Sequence, residues 1–118
     1  SLIEGDPDRL EELFLILLDN AIKYTLPGEQ VTLKLCRRDG SAEVLVHDDG
    51  VGITPEDLSH VFERFYRADP ARTRDPGGTG LGLPIARWIA EAHGGHIDIE
   101  SKPGGGTTVR VRLPLIRP

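Results

Sequence analysis

The sequence predicts an α+β domain: a two-layer sandwich with three helices on one face of a mainly antiparallel sheet. Three observations carry this. Apolar residues recur at helical spacing near both ends of the chain, in 7–24 and 83–93. Four segments alternate with a period of two: 30–38, 41–48, 96–101 and 107–114. The strand-like segments come as neighbours joined by short glycine turns, with helical segments between the pairs, which favours hairpins over parallel crossovers.

Each element has local reasons. Asp6 and Pro7 form a helix start, with the aspartate as N-cap and proline at the first helical position. Leu10, Leu13, Phe14, Leu17, Leu18 and Ala21 then mark one face, and the helix ends near Pro27-Gly28. Val31, Leu33 and Leu35 alternate in the next run. Cys36, inside that run, is expected to be a small core residue. Asp39-Gly40 is a tight-turn pair, so SAEVLVHD is expected to fold back as the second hairpin strand. Thr54, Pro55 and Asp57 open a short helix that turns Leu58, Val61, Phe62 and Phe65 inward. Residues 66 to 82 are rich in glycine, proline and charge, a long loop of the kind that is functional or disordered, and 66 to 80 are expected to be mobile without ligand. A third helix follows, with Ala86, Ile89, Ala90 and His93 on one face and Gly94-Gly95 as its C-cap. HIDIES and TTVRVRLP are the last two strands.

Bulk properties narrow the function classes. At 118 residues the chain is one domain with one core. Its net charge of −5 disfavours a general nucleic-acid binder or a polybasic membrane anchor. A single cysteine rules out an intrachain disulfide and a multi-cysteine zinc site. No apolar run approaches the ~18 residues that a membrane span needs.

Three features point to chemistry. The first is DDGVGI, residues 48–53. Strand alternation places Val44, Val46 and Asp48 on one face, and Leu45, His47 and Asp49 on the other. The first row is apolar until its last member, so Asp48 sits at the buried end of a core-facing row. Two roles fit that position on spacing alone: a carboxylate aimed at a ligand donor, or a turn cap bonded to its own backbone. Gly50 and Gly52 permit close approach of another group. The second feature is the helix flank of Ile16, Asn20 and Tyr24, spaced i, i+4, with Lys23 beside it. Its side chains suit a metal, a phosphate and a ring, but taken alone a solvated helix flank is the favoured reading. The third is GGTGLGL at 77–83, glycines opening a helix whose N-terminus favours anions. It matches neither a Walker A motif nor a Rossmann fingerprint.

Together these segments resemble the ATP-binding catalytic domain of bacterial sensor histidine kinases, within the gyrase, heat-shock chaperone and mismatch-repair ATPase superfamily. LLDNAIKYT (17–25) is similar to the N box, DDGVGI (48–53) to the first glycine box, and VFERFYR (61–67) to the F box. GGTGLGL (77–83) is similar to the second glycine box and PGGGTT (103–108) to the last. The resemblance spans the whole chain and rests on five boxes in order.

That resemblance implies a Bergerat-type fold with a mixed, mainly antiparallel sheet and a mobile ATP lid. It implies Asp48 as acceptor of the adenine amino group, and Asn20 as the Mg²⁺ ligand. Lys23 would contact phosphate, and Tyr24 would lie beside the nucleotide. Gly50 and Gly52 would shape the adenine pocket, with Thr107 near the adenine end. Gly78, Gly80, Leu81 and Gly82 would form the hinged loop and the helix start at the phosphates. Phe62 and Phe65 would anchor the lid, and Arg67, Arg72 and Arg74 would face phosphates, a partner or solvent.

One position departs from the pattern. Four residues before Asn20, related kinases often carry a second Asn, and gyrase-like ATPases a Glu that activates water. Here it is Ile16, which can neither ligate a cation nor act as a base. Ile16 argues against gyrase-like hydrolysis, and the resemblance implies phosphotransfer from Mg-ATP to a histidine on a separate dimerisation domain. His47, His60, His93 and His96 lie in no sequence like that acceptor, and His93 is expected to cap or pack. The chain is expected to be a monomeric fragment of a longer sensor kinase, a cytoplasmic domain whose parent lies in the bacterial inner membrane. Its partners would be the dimerisation domain and, indirectly, a response regulator. The alternatives are an anti-sigma-factor-type serine kinase and a non-catalytic nucleotide-sensing domain.

Overall fold

A computed structural model describes residues 5–25, 27–64 and 82–115; of Tyr24 only the backbone is described. The elements, in order, are α1 (Pro7–Tyr24), β1 (Val31–Arg38), β2 (Ser41–Asp48), α2 (Pro55–Leu58), α3 (Gly82–Ala92), β3 (His96–Ser101) and β4 (Thr107–Pro114). The strands form one sheet in the order β1-β2-β4-β3, with every neighbouring pair antiparallel. The α+β sandwich expected from the alternating elements is thus the observed fold. The expected lid, with Phe65, Arg67, Arg72, Arg74, Gly78, Gly80 and Leu81, lies outside the described residues.

The helix ends follow their sequence signals. Asp6 Oδ1 accepts from the Asp8 and Arg9 N–H groups at the start of α1. At the end of α3, the Gly94 N–H donates to Glu91 O (3.0 Å) and the Gly95 N–H to Ala90 O (2.8 Å). Gly94 has φ +77°, so this is a Schellman cap. His93 joins the two helices. Its Nδ1 lies 2.8 Å from Ile89 O, and its Nε2 accepts from the Asp6 N–H at 3.1 Å. A ring accepting at Nε2 and donating at Nδ1 is a neutral imidazole. Capping, rather than chemistry, is what this histidine does.

The core lies between the helices and one face of the sheet. Leu13, Leu17 and Ala21 of α1 meet Ala86, Ile89 and Ala90 of α3 over Val44, Val46, Val109, Val111 and Leu113. Leu13 and Leu17 are fully buried. Truncating such a leucine to alanine costs about 2–5 kcal/mol. A smaller cluster of Ile53, Val61 and Leu83 closes the end near α2, with Phe62 and Ile99 against it.

β1 behaves differently. Val31, Leu33 and Leu35 stand opposite Asp48, Val46 and Val44, on the helix side of the sheet. Yet they are 36%, 51% and 71% exposed, because α1 and α3 pack over β2, β4 and β3 rather than over β1. The core expectation for Cys36 is overturned: the thiol is exposed. Alternation puts Cys36 on the face away from Leu33 and Leu35, beside Glu43. An apolar run on an edge strand does not imply a core position for every member.

Candidate functional site

Three strands end their core-facing rows in a polar residue at the same edge of the sheet. The rows are Val44-Val46-Asp48 on β2, Val109-Thr107 on β4 read toward its start, and Ile97-Ile99-Ser101 on β3. Register pairs Asp48 with Thr107 and Thr107 with Ser101, so the three lie side by side. Asp48 and Thr107 are each 1% exposed. Thus the parity argument holds for Asp48, and it brings Thr107 to it across the strand pair. Asp49 faces the other way and pairs with His47 Nε2 at 3.1 Å.

Of the two roles weighed for Asp48, the turn cap is present, and it occupies only one of the two carboxylate oxygens. Oδ1 accepts the Gly50 N–H at 2.9 Å, which is the turn cap. Oδ2 accepts no hydrogen bond among the described residues. Burial raises the Asp48 carboxyl above the usual carboxylate range, opposed in part by the Gly50 N–H and by His47. A buried carboxylate with one open acceptor can take a hydrogen bond from a further donor.

The glycines around it serve contact between loops. Gly52 has φ +76°, and a Cβ there would be driven into the Lys102 carbonyl and against Pro103. Gly106, with φ +77°, faces the Asp48 carbonyl in the same way. The Gly104 N–H donates to Val51 O at 2.8 Å. The first glycine segment is therefore seated on the last one. The close approach that Gly52 permits is taken by the 102–103 backbone.

Ser101 was not singled out from sequence, although alternation along HIDIES places it on the row of Ile97 and Ile99. Its Oγ accepts from the Ile53 N–H (2.7 Å), donates to Gly106 O (2.8 Å), and lies 2.7 Å from Thr107 Oγ1. One hydroxyl thus ties the 49–53 loop, the 102–106 turn and β4 together.

The second set of residues singled out from sequence is on α1 and at the start of α3. Gly82 begins α3, and a Cβ built on it would lie 3.4 Å from Ile16 Cγ2. The N-terminus of α3 therefore abuts α1 one turn before Asn20. Ile16 packs against the main core and fills that crossing with hydrocarbon. Asn20 Nδ2 is buried with no hydrogen-bond partner among the described residues. An amide held in this way is short of a polar partner, and exchanging its O and N positions changes little sterically. Lys23 Nζ lies 3.4 Å from Asp19 Oδ2 and stays on the same side of the helix. Among the described residues no group of three or more His, Cys, Asp or Glu side chains is placed to hold a metal ion. Asn20 alone suits a cation that keeps most of its shell as water and phosphate oxygen, as Mg²⁺ does. No described helix is long and apolar enough to cross a membrane.

The arrangement has recognisable counterparts. The sensor histidine kinase YkoH of Bacillus subtilis is 48% identical over 112 residues, 95% of this chain and 24% of that protein. The mycobacterial sensor histidine kinase MprB superposes with a TM-score of 0.85 at 36% identity, covering 96% of this chain and 76% of that one. Full-length ShkA, solved in complex with AMPPNP, gives a TM-score of 0.81 at 29% identity, covering 98% of this chain and 23% of that one. The chain spans about a quarter of the length of its curated relative YkoH. Residues 5–117 match the family model for histidine kinase-, DNA gyrase B- and HSP90-like ATPases, and the chain belongs to that family.

Proposed function

We propose that the chain binds Mg-ATP and donates its γ-phosphoryl group to a histidine on a separate dimerisation domain. It would be the catalytic domain of a longer sensor kinase, with a response regulator as the eventual recipient. The chain would lie in the cytoplasm beneath a membrane-bound sensor, as the resemblance to sensor kinases implies. The observation that carries the reading is Asp48: a buried carboxylate with one oxygen held by Gly50 and the other open, at the end of an apolar row. An adenine amino group has the donor that Oδ2 needs, and the ring fits beside apolar neighbours. ShkA's complex with AMPPNP supports an adenine nucleotide as the ligand.

Phosphoryl transfer needs positioning and charge neutralisation more than covalent help from the protein. With the base held at Asp48 and Thr107, the triphosphate runs toward α1 and the start of α3. The first N–H groups of α3 and the Lys23 ammonium attract its oxygens. Asn20 would hold Mg²⁺, which supplies charge neutralisation on the phosphates when bound. Ile16 offers no base to activate water at the position where gyrase-like ATPases carry a Glu. That favours transfer to a positioned imidazole over hydrolysis.

The test is incubation of the chain with Mg²⁺, γ-labelled ATP and the dimerisation domain of its parent protein. Label on that domain that is lost in acid and kept in alkali is expected. ATP binding without any transfer would assign the chain to nucleotide sensing instead.

A further inference from the structure

We infer that Ser101 is a positioning residue that sets which nucleobase the site accepts, by holding the Thr107 hydroxyl as an acceptor toward the pocket. The inference rests on the nucleotide-binding reading above. A serine hydroxyl has one proton and two lone pairs. Three groups surround Ser101 Oγ. The Ile53 N–H can only donate, and takes one lone pair at 2.7 Å. The Gly106 carbonyl can only accept, and takes the proton at 2.8 Å. One lone pair remains for Thr107 Oγ1 at 2.7 Å, so the Thr107 proton must point to Ser101. Thr107 then keeps only lone pairs for any other partner.

Its cross-strand neighbour Asp48 also offers only an acceptor, since Oδ1 already holds the Gly50 N–H. Among the described residues the base end of the proposed site thus offers two acceptors, the free Asp48 oxygen and Thr107 Oγ1. A base presenting an exocyclic amino group at C6 is matched. A base presenting a carbonyl there, as hypoxanthine does, sets oxygen against oxygen. Without the Ser101 acceptor, the Thr107 hydroxyl is free to turn and donate, and part of that discrimination is lost. Ser101 touches no ligand in this scheme; it acts through the proton on Thr107.

The experiment is calorimetric titration of ATP and of inosine triphosphate into the wild type, Ser101→Ala, Ser101→Thr and Thr107→Val at pH 8. The wild type is expected to prefer ATP. Ser101→Ala should narrow the ratio of the two Kd values by about tenfold, and Ser101→Thr, which keeps a hydroxyl, should restore it. Thr107→Val should narrow the ratio as well, and answers the question if Ser101→Ala fails to fold. Equal weakening of both nucleotides in Ser101→Ala, or an unchanged ratio in Thr107→Val, would overturn this inference alone. A wild type that binds neither nucleotide would overturn the nucleotide reading and this inference with it.

Discussion

The two ends of the site are built on opposite plans. At the sheet end, Asp48, Ser101 and Thr107 sit in register on three strands, and Ser101 has every hydrogen-bonding position filled by the protein. At the helix end, Asn20 Nδ2 is buried without a partner among the described residues, and Lys23 is paired there with Asp19, itself 68% exposed. A closed network fixes a few donor and acceptor positions, which suits a rigid base. An open set of polar groups tolerates water, cation and phosphate in changing proportions. The two ends therefore should respond to mutation in different ways: the sheet end through fold and selectivity, the helix end through metal and charge.

The largest expected effect belongs to the sheet end. Gly52→Ala forces a Cβ into the Lys102 carbonyl at a positive φ. It should destabilise the domain by about 3 kcal/mol in urea unfolding. Gly104→Ala has the same φ sign with nothing near the added methyl, and should cost only about 1 kcal/mol. Equal losses for the two would mean that loop seating is not what Gly52 provides.

Next comes the helix end. Asn20→Ala should lower Mg²⁺-dependent phosphotransfer by about tenfold or more, while changing Mg²⁺-free nucleotide binding by no more than about threefold. Its folding stability should not fall, because the substitution removes a buried amide that lacks a partner. Loss of stability would show that Asn20 is structural. Lys23→Ala should weaken ATP by only a few-fold, with a smaller salt dependence than the wild type.

The smallest effect is a pH dependence of the ligand-free fold. The folded Asp48 carboxyl is raised by burial, so the folded state holds its proton more tightly than the unfolded chain. The contribution is absent below the unfolded value and destabilises fully above the folded one. Stability should therefore fall as pH rises through that window, and Asp48→Asn should remove this part of the slope. An identical slope in the mutant would locate the burial cost elsewhere.

The sheet end was legible because alternation is a strict rule. Counting by twos from Val44 placed Asp48 inward, and the same count along HIDIES would have found Ser101. Its partners were not legible, since cross-strand register depends on the turns between strands. Cys36 shows the limit: alternation within β1 was readable, but whether a helix covers that strand depends on packing far along the chain. At the helix end, Asn20 and Lys23 were visible only as a flank. What changes that is Gly82, which brings α3 against Ile16, a contact between residues 66 positions apart. Gly78, Gly80, Leu81 and the Tyr24 side chain lie outside the described residues, so their proposed roles rest on the family pattern.

The most direct measurement is calorimetric titration of ATP into the wild type and Asp48→Asn at neutral pH, with the unfolding temperature of each ligand-free protein. Asparagine keeps an oxygen for the Gly50 N–H but removes the charged acceptor facing the ligand. The expected result is an affinity weakened about 100-fold in a mutant whose ligand-free unfolding temperature is no lower. Equal affinity in the two proteins would contradict the assignment of Asp48 to the base, and with it the placement of the site.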